Sequence, residues 1–234
     1  MKPIKIYWHI NELTCWRHRL DQQWDLIKNS GLYDASQNIF LCGNGQPWTF
    51  LEWMNNQPET KLNFLKVHTS ASYWEYPTLN QMHQHATETS DDYHILYIHL
   101  KGVTRPDQPN VEDWCKFLQW SVIERWEDCV ARLEEGYDCV GPNWDLEPWP
   151  HFSGNFWWSH ADYIRRLPVP QHPEVSMQTN RTQFKTHQVD PPVWRFDYEA
   201  WVGSAEPKHY QISRSLKEGG AHYWTPYPES NYRK

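Results

Sequence analysis

The stretch Ile95-Leu96-Tyr97-Ile98-His99-Leu100-Lys101-Gly102 reads as a strong apolar strand ending on a histidine, a lysine and a glycine. Upstream, Ile4 to Ile10 reads as a buried first strand, Asn38 to Cys42 as a second and Leu62 to His68 as a third. Helical patterns separate them. Thr14 is placed to cap a helix from Trp16 to about Lys28, with Trp16, Leu20, Trp24 and Ile27 on one face, and Asn29-Ser30-Gly31 stops it. Pro77 to about Thr89 is a polar helix. Downstream, Asn110 caps the best helix in the sequence, with Asp113 in its first turn. Its core face is Trp114, Phe117, Leu118, Val122, Trp126, Cys129 and Leu133; Gly136 ends it, and Cys139-Val140 begins another strand. Strands alternating with helices predict an α/β fold, a mostly parallel sheet with helices on both faces. In such sheets ligands bind outside the carboxyl ends of the strands, which singles out the end at His99 and Lys101.

After Leu167 the pattern breaks. Pro168, Pro170, Pro173, Pro191 and Pro192 bracket a polar segment, so 168–193 is expected to be an irregular loop of the functional kind. Trp194 to Val202 is a helix candidate carrying Asp197 and Glu199, and the tail from Gly219 reads as irregular.

A formal charge of −7, with no Lys/Arg cluster, argues against a nucleic-acid partner. The 16 Trp and 13 Tyr outnumber the 8 Phe, and rings with a polar edge suit clefts as well as cores. The five cysteines, Cys15, Cys42, Cys115, Cys129 and Cys139, are scattered and without Cys-x-x-Cys spacing, which favours reduced thiols and a cytoplasmic setting. No apolar run approaches a membrane span, and Met1-Lys2-Pro3 leads straight into a strand without a signal peptide. Any membrane association is therefore expected to be peripheral.

The stretch His151-Phe152-Ser153-Gly154-Asn155-Phe156-Trp157-Trp158-Ser159 joins a small polar turn to adjacent aromatics. A turn into a buried aromatic strand is the plain reading. Glycine, however, allows close backbone approach, Asn155 offers amide donors and an acceptor, and indole faces suit sugar rings, so the conjunction favours a ligand-facing turn. His99 alternates with Tyr97 and Lys101, and a lysine followed by a permissive glycine can meet a phosphate as a point charge. Asp197 and Glu199 lie two apart and do not share a helical face, so one of them is expected to meet substrate. Glu199, flanked by Tyr198, Ala200 and Trp201, is the better candidate for a base whose pKa an apolar cleft raises. His83 and His85 have poor spacing for shared ligation, no His-Glu-x-x-His motif is present, and no histidine metal site is expected. The nucleophile elbow, phosphate-binding loop and dinucleotide fingerprints are also missing.

In order along the chain, these pieces resemble a family of small GT-A-like glycosyltransferases related to the rhamnan-synthesis type. The matching elements are the first strand with His9, Ser30 to Asp34, Leu96 to Val103, Asp113-Trp114, Tyr137 to Gly141, His151 to Trp158 with Tyr163, and Tyr198 to Gly203. The resemblance implies a GT-A-like, Rossmann-type fold and transfer of a sugar from a nucleotide-diphosphate donor to a glycan or glycoconjugate acceptor, in polysaccharide or surface-glycan synthesis. It implies one domain over 1–234, with a nucleotide-sugar half (1–103) and an acceptor and catalytic half (104–234). His9, His99, Lys101, Gly102 and Arg105 would bind the donor; Gly154, Asn155, Trp157 and Trp158 would bind the acceptor; Glu199, with Asp197, would be catalytic. Two departures stand out. Cys115 follows Trp114 where relatives often carry arginine, and the strand ends His99-Leu100-Lys101 where many GT-A enzymes carry an Asp-x-Asp motif for Mn²⁺ or Mg²⁺. The pair Asp91-Asp92 lies upstream of that strand. Lys101, His99 and Arg105 are therefore expected to stabilise the diphosphate; the resemblance firmly implies no cofactor, and Mn²⁺ or Mg²⁺ stays open without an Asp-x-Asp motif at the expected strand end. A non-catalytic glycan-binding protein with a Trp-rich cleft is the alternative. A glycoside hydrolase would need a carboxylate pair drawn from Asp145, Glu147, Asp197 and Glu199.

Overall fold

The protein is described by a computed structural model covering residues 2–58, 61–179, 193–216 and 219–233. The chain begins with β1 (Ile4–Asn11), α1 (Trp16–Asn29), the short α2 (Leu32–Ala35), β2 (Ser36–Asn44), α3 (Pro47–Asn55) and β3 (Leu62–His68). It continues through α4 (Tyr76–Thr87), β4 (His94–His99), α5 (Pro109–Gln119) and α6 (Trp126–Glu134) to β5 (Cys139–Pro142). Then come a small hairpin of β6 (Trp144–Asp145) and β7 (His151–Phe152), β8 (Trp157–His160), α7 (Ala161–Arg166), α8 (Pro173–Thr179), α9 (Asp197–Ala200) and β9 (His209–Ser213).

Seven strands form one sheet in the order β3-β2-β1-β4-β8-β5-β9. All of them run parallel except β8, which pairs antiparallel with both β4 and β5. The fold is a mostly parallel, Rossmann-like α/β sheet. Period-two alternation divides its side chains between two cores. Ile6, Trp8 and Ile10 of β1, Leu96 and Ile98 of β4, and Trp158 of β8 pack on the side of α1, α3, α5 and α6. Tyr7, Ile95, Tyr97 and Trp157 face the opposite side, with α4, α7 and the α9 segment. Helices cover both faces because both faces are apolar.

Several local expectations change. The helix expected from Asn110 to Gly136 is two helices, joined by a π-helical turn at Trp120–Glu124 and broken at Arg125. It starts at Pro109, with Gln108 as its cap, and Glu112 is the acid in its first turn. Asp113 instead accepts from the Tyr227 backbone N–H at 3.2 Å. Cys15, not Thr14, stands at the cap of α1, without a side-chain bond. Trp194 to Val202 divides into a 3₁₀ turn (Val193–Phe196), α9 and a second 3₁₀ turn (Trp201–Gly203). Within the expected loop 168–193, α8 is helical, and 180–192 lie outside the described residues. No described helix is long and apolar enough to cross a membrane.

Candidate functional site

β1 lies between β2 and β4, and the chain departs from it in one direction and returns on the other side through β4. A crevice opens outside the carboxyl ends of strands at such a reversal. Here it holds two adjoining cavities of about 160 and 350 Å³. Lys101, Arg195, Glu199 and Tyr223 line both. The first is completed by His9, Asn11, Trp74, Glu75, His99 and Arg105, the second by Trp114, Asp145, Glu147, Trp149 and Gly154.

The end of β4 places Lys101. The Lys101 N–H donates to the His99 carbonyl at 2.9 Å, which turns the chain sharply, and Gly102 follows at φ +79°, a conformation that favours glycine. A Cβ there would stand 3.0 Å from Val111 and 3.2 Å from the Cys115 sulfur, so the turn sits directly on α5. The Lys101 ammonium lies 4.0 Å from the centre of the Trp114 ring, a cation–π contact that holds it over the cleft. Arg195 lies over Trp74 and Phe196, and its buried Nε has no partner among the described residues. Arg105 lies over Tyr223 at 4.5 Å.

Burial favours the neutral rings of His9 and His99. Burial, then the neighbouring His99, pushes His9 down to about 3. Burial, then Lys101, pushes His99 down to about 3 as well. Their hydrogen bonds agree with neutral rings. His99 Nε2–H donates to the Gly154 carbonyl at 2.8 Å. The Asn44 amide donates to His9 Nε2 at 3.4 Å, so His9 Nδ1–H donates to Thr78 Oγ1 at 2.8 Å. Both histidines hold walls in place: His99 fixes the Gly154 turn, and His9 ties β1 to the start of α4.

The Gly-Asn-Phe-Trp-Trp run divides. Gly154, at φ +95° and tight against Leu118, borders the second cavity. Asn155, Trp157 and Trp158 do not contact it. They are at most 2% exposed: Trp157 Nε1 donates to Asn155 Oδ1, Trp158 Nε1 donates to the Val122 carbonyl, and Trp157 stacks on Tyr97. Their strand runs through the middle of the sheet, so period-two alternation sends one indole into each core. The acceptor role expected of these three residues is therefore corrected; the plain reading of a buried aromatic strand holds for them. Asp197 is also buried and off both cavities, whereas Glu199 lines both. On a helical turn, residues two apart point to different sides.

Several cleft residues escaped sequence reasoning, among them Glu75, Trp74, Arg195 and Trp149. Glu75 and Trp74 follow the loop after β3, and a strand end was the signal available for them. Arg195 and Trp149 had none. The indole nitrogens of Trp149 and Trp114 and Asn11 Oδ1 join Arg195 Nε as buried cleft atoms without partners among the described residues. Burial pushes the Glu75 carboxyl up to about 7, helped by the charge of Glu199 and opposed by Lys101 and Arg195.

A divalent cation does not fit the end of β4, where an ammonium group stands in place of an acidic pair. Among the described residues, no three His, Cys, Asp or Glu side chains gather to hold a metal.

No curated protein matches the chain in sequence. Among solved structures, the chain is similar to 4-diphosphocytidyl-2C-methyl-D-erythritol synthase from Anaerococcus prevotii DSM 20548, at 9% identity and a TM-score of 0.45. That alignment covers 91% of this chain and 89% of the other, and a likeness this distant carries no functional argument. Residues 7–209 match the model of the family described as "Domain of unknown function (DUF8361)", and the chain belongs to that family.

Proposed function

We propose that the protein is a glycosyltransferase that moves a sugar from a nucleotide-diphosphate donor to a glycan or glycoconjugate acceptor. One observation carries this reading: Lys101, Arg195 and Glu199 line both adjoining cavities at the reversal point of the sheet. Two cations and a carboxylate at one junction suit a reaction in which a diphosphate leaves while an alcohol loses its proton.

In this reading the first cavity takes the diphosphate end of the donor. Lys101 and Arg195 stabilise the charge that grows on the leaving group, with Arg105 at the rim, and the neutral His9 and His99 shape the wall. The second cavity takes the acceptor. Trp149 and Trp114 line its wall. Glu199 stands where the acceptor hydroxyl enters and receives its proton. No step passes through a metal, because Lys101 occupies the position that a metal-binding acid pair would need.

Calorimetry with a panel of nucleotide sugars, followed by an assay of nucleotide release with and without EDTA, tests the reading. Tight nucleotide-diphosphate binding and sugar transfer that survives chelation are expected. Binding of free oligosaccharides with no affinity for any nucleotide would favour the non-catalytic glycan-binding alternative. Activity abolished by EDTA and restored by Mn²⁺ would refute the metal-free arrangement.

A further inference from the structure

Glu75 belongs to no motif described above, yet the backbone is held in an uncommon shape to present it. Trp74, immediately before it, has φ 45° and ψ −137°. Such a conformation costs on the order of 1–3 kcal/mol in a non-glycine residue and persists only where its surroundings impose it. Here the Asn44 amide donates to the Trp74 carbonyl at 2.8 Å and also reaches His9, which is bonded in turn to Thr78 in the first turn of α4. On its other side, the Glu75 carbonyl accepts from the N–H groups of Thr78 and Leu79, both at 3.1 Å. The residue is clamped between the end of β2 and the start of α4, with its side chain in the first cavity beside Glu199.

We propose that Glu75 and Glu199, which line the same cavity, form a coupled carboxylate pair, with the proton on Glu75, that handles proton transfer in the cleft. Two carboxylates facing one small cavity disfavour double ionisation, and burial strengthens the effect. The remaining groups that act on Glu75 are few. Lys101 beyond β4 and Arg195 before α9 are cations that favour ionisation. His99 and His9 are neutral. The phenols of Tyr97 and Tyr198 are held protonated by burial. At Glu75, desolvation and the charge of Glu199 outweigh the two cations, so a second negative charge forms on the pair only at higher pH.

The proton bookkeeping closes, and this step rests on the transferase reading. The acceptor hydroxyl gives its proton to the ionised member, and its oxygen bonds to the anomeric carbon. The carbon–oxygen bond to the diphosphate breaks, and the electron pair leaves with the nucleotide. The pair then carries two protons and releases one to solvent.

The test needs no substrate. Full-length protein labelled at the glutamate side-chain carbonyl carbon is titrated by NMR from about pH 4 to 9. One resonance, absent from Glu75→Gln, is expected to titrate near pH 7. In Glu199→Gln its midpoint should fall by about one pH unit or more, because a neighbouring charge is gone. A Glu75 resonance titrating in the ordinary glutamate range, or one unmoved by Glu199→Gln, would overturn the proposal. Should Glu75→Gln fold poorly, Glu75→Asp removes the same resonance and identifies it equally well. If no nucleotide sugar is turned over, the transferase reading fails while this titration stands. If transfer occurs, Glu75→Gln should slow it about 10²–10⁴-fold and erase the activity transition near neutral pH. Retention of both the rate and the transition would remove Glu75 from proton transfer.

Discussion

Replacing Trp158 by phenylalanine separates a buried aromatic strand from a ligand-facing one. Trp158 is fully buried, and its Nε1–H is the hydrogen bond seen at the Val122 carbonyl, 2.8 Å away. Removing that donor leaves a buried acceptor unpaired, at a cost of about 1–3 kcal/mol. The smaller ring leaves a void of ~40 Å³, worth about 1 kcal/mol more. A total near 3 kcal/mol should lower the Tm by about 6–12 °C for a chain of this size. Trp149→Phe is the control. Its indole N–H has no partner among the described residues, and its ring packs on Phe196 at 5.1 Å, a contact that phenylalanine largely keeps. Less than about 1 kcal/mol of stability should be lost, while saccharide affinity falls about 5–10-fold as the cavity wall that Trp149 lines changes shape. Urea unfolding followed by circular dichroism, alongside calorimetry with acceptor oligosaccharides, measures both effects. Trp158→Phe with wild-type stability and lost saccharide binding would refute the assignment of this indole to the core.

Glu199→Gln should lower kcat about 10²–10⁴-fold with little change in donor KM; a loss confined to KM would make it a binding group instead. His9 and His99 have folded-state pKa values lowered to about 3 from an ordinary 6.5, so the unfolded chain takes up their protons first as pH falls. Stability should therefore drop below about pH 6.5 by about 1.4 kcal/mol per pH unit for each histidine, and His99→Gln should flatten the slope of the urea midpoint against pH. Glu75 has the opposite sign. Its carboxyl is raised from 4.5 to about 7, so the folded state holds the proton longer and loses relative stability as pH climbs through that window. Glu75→Gln should thus be more stable than the wild type above about pH 7, by on the order of 1–3 kcal/mol, with the gap closing below about pH 4.5. A variant destabilised at every pH would show that the carboxylate serves folding instead.

The early strands and the first helix were legible because their signals are local. Ile4 to Ile10 alternates between two apolar faces, Trp16, Leu20, Trp24 and Ile27 recur at helical spacing, and Gly31 closes the helix at φ +79°. Lys101 and Gly102 were legible for the related reason that a glycine after a strand marks a turn. α3 was missed although Pro47 opens it, because its nine residues repeat the helical period only about two and a half times. The break at Arg125 was hidden because a π turn shifts the helical phase while leaving the apolar residues in place.

Periodicity and composition were enough for the class of fold, the carboxyl-end crevice and the candidacy of Lys101 and Glu199, since each depends on neighbours in the chain. The fate of the two adjacent tryptophans depended on where their strand is inserted. Between β4 and β5, with both edges paired and both faces covered, Trp157 and Trp158 have only cores to enter. The gathering of Glu75, Lys101, Arg195 and Glu199 likewise follows from strand order and helix packing, which bring segments more than a hundred residues apart to one cleft. Long-range convergence leaves no periodic trace along a chain, because no single segment carries it.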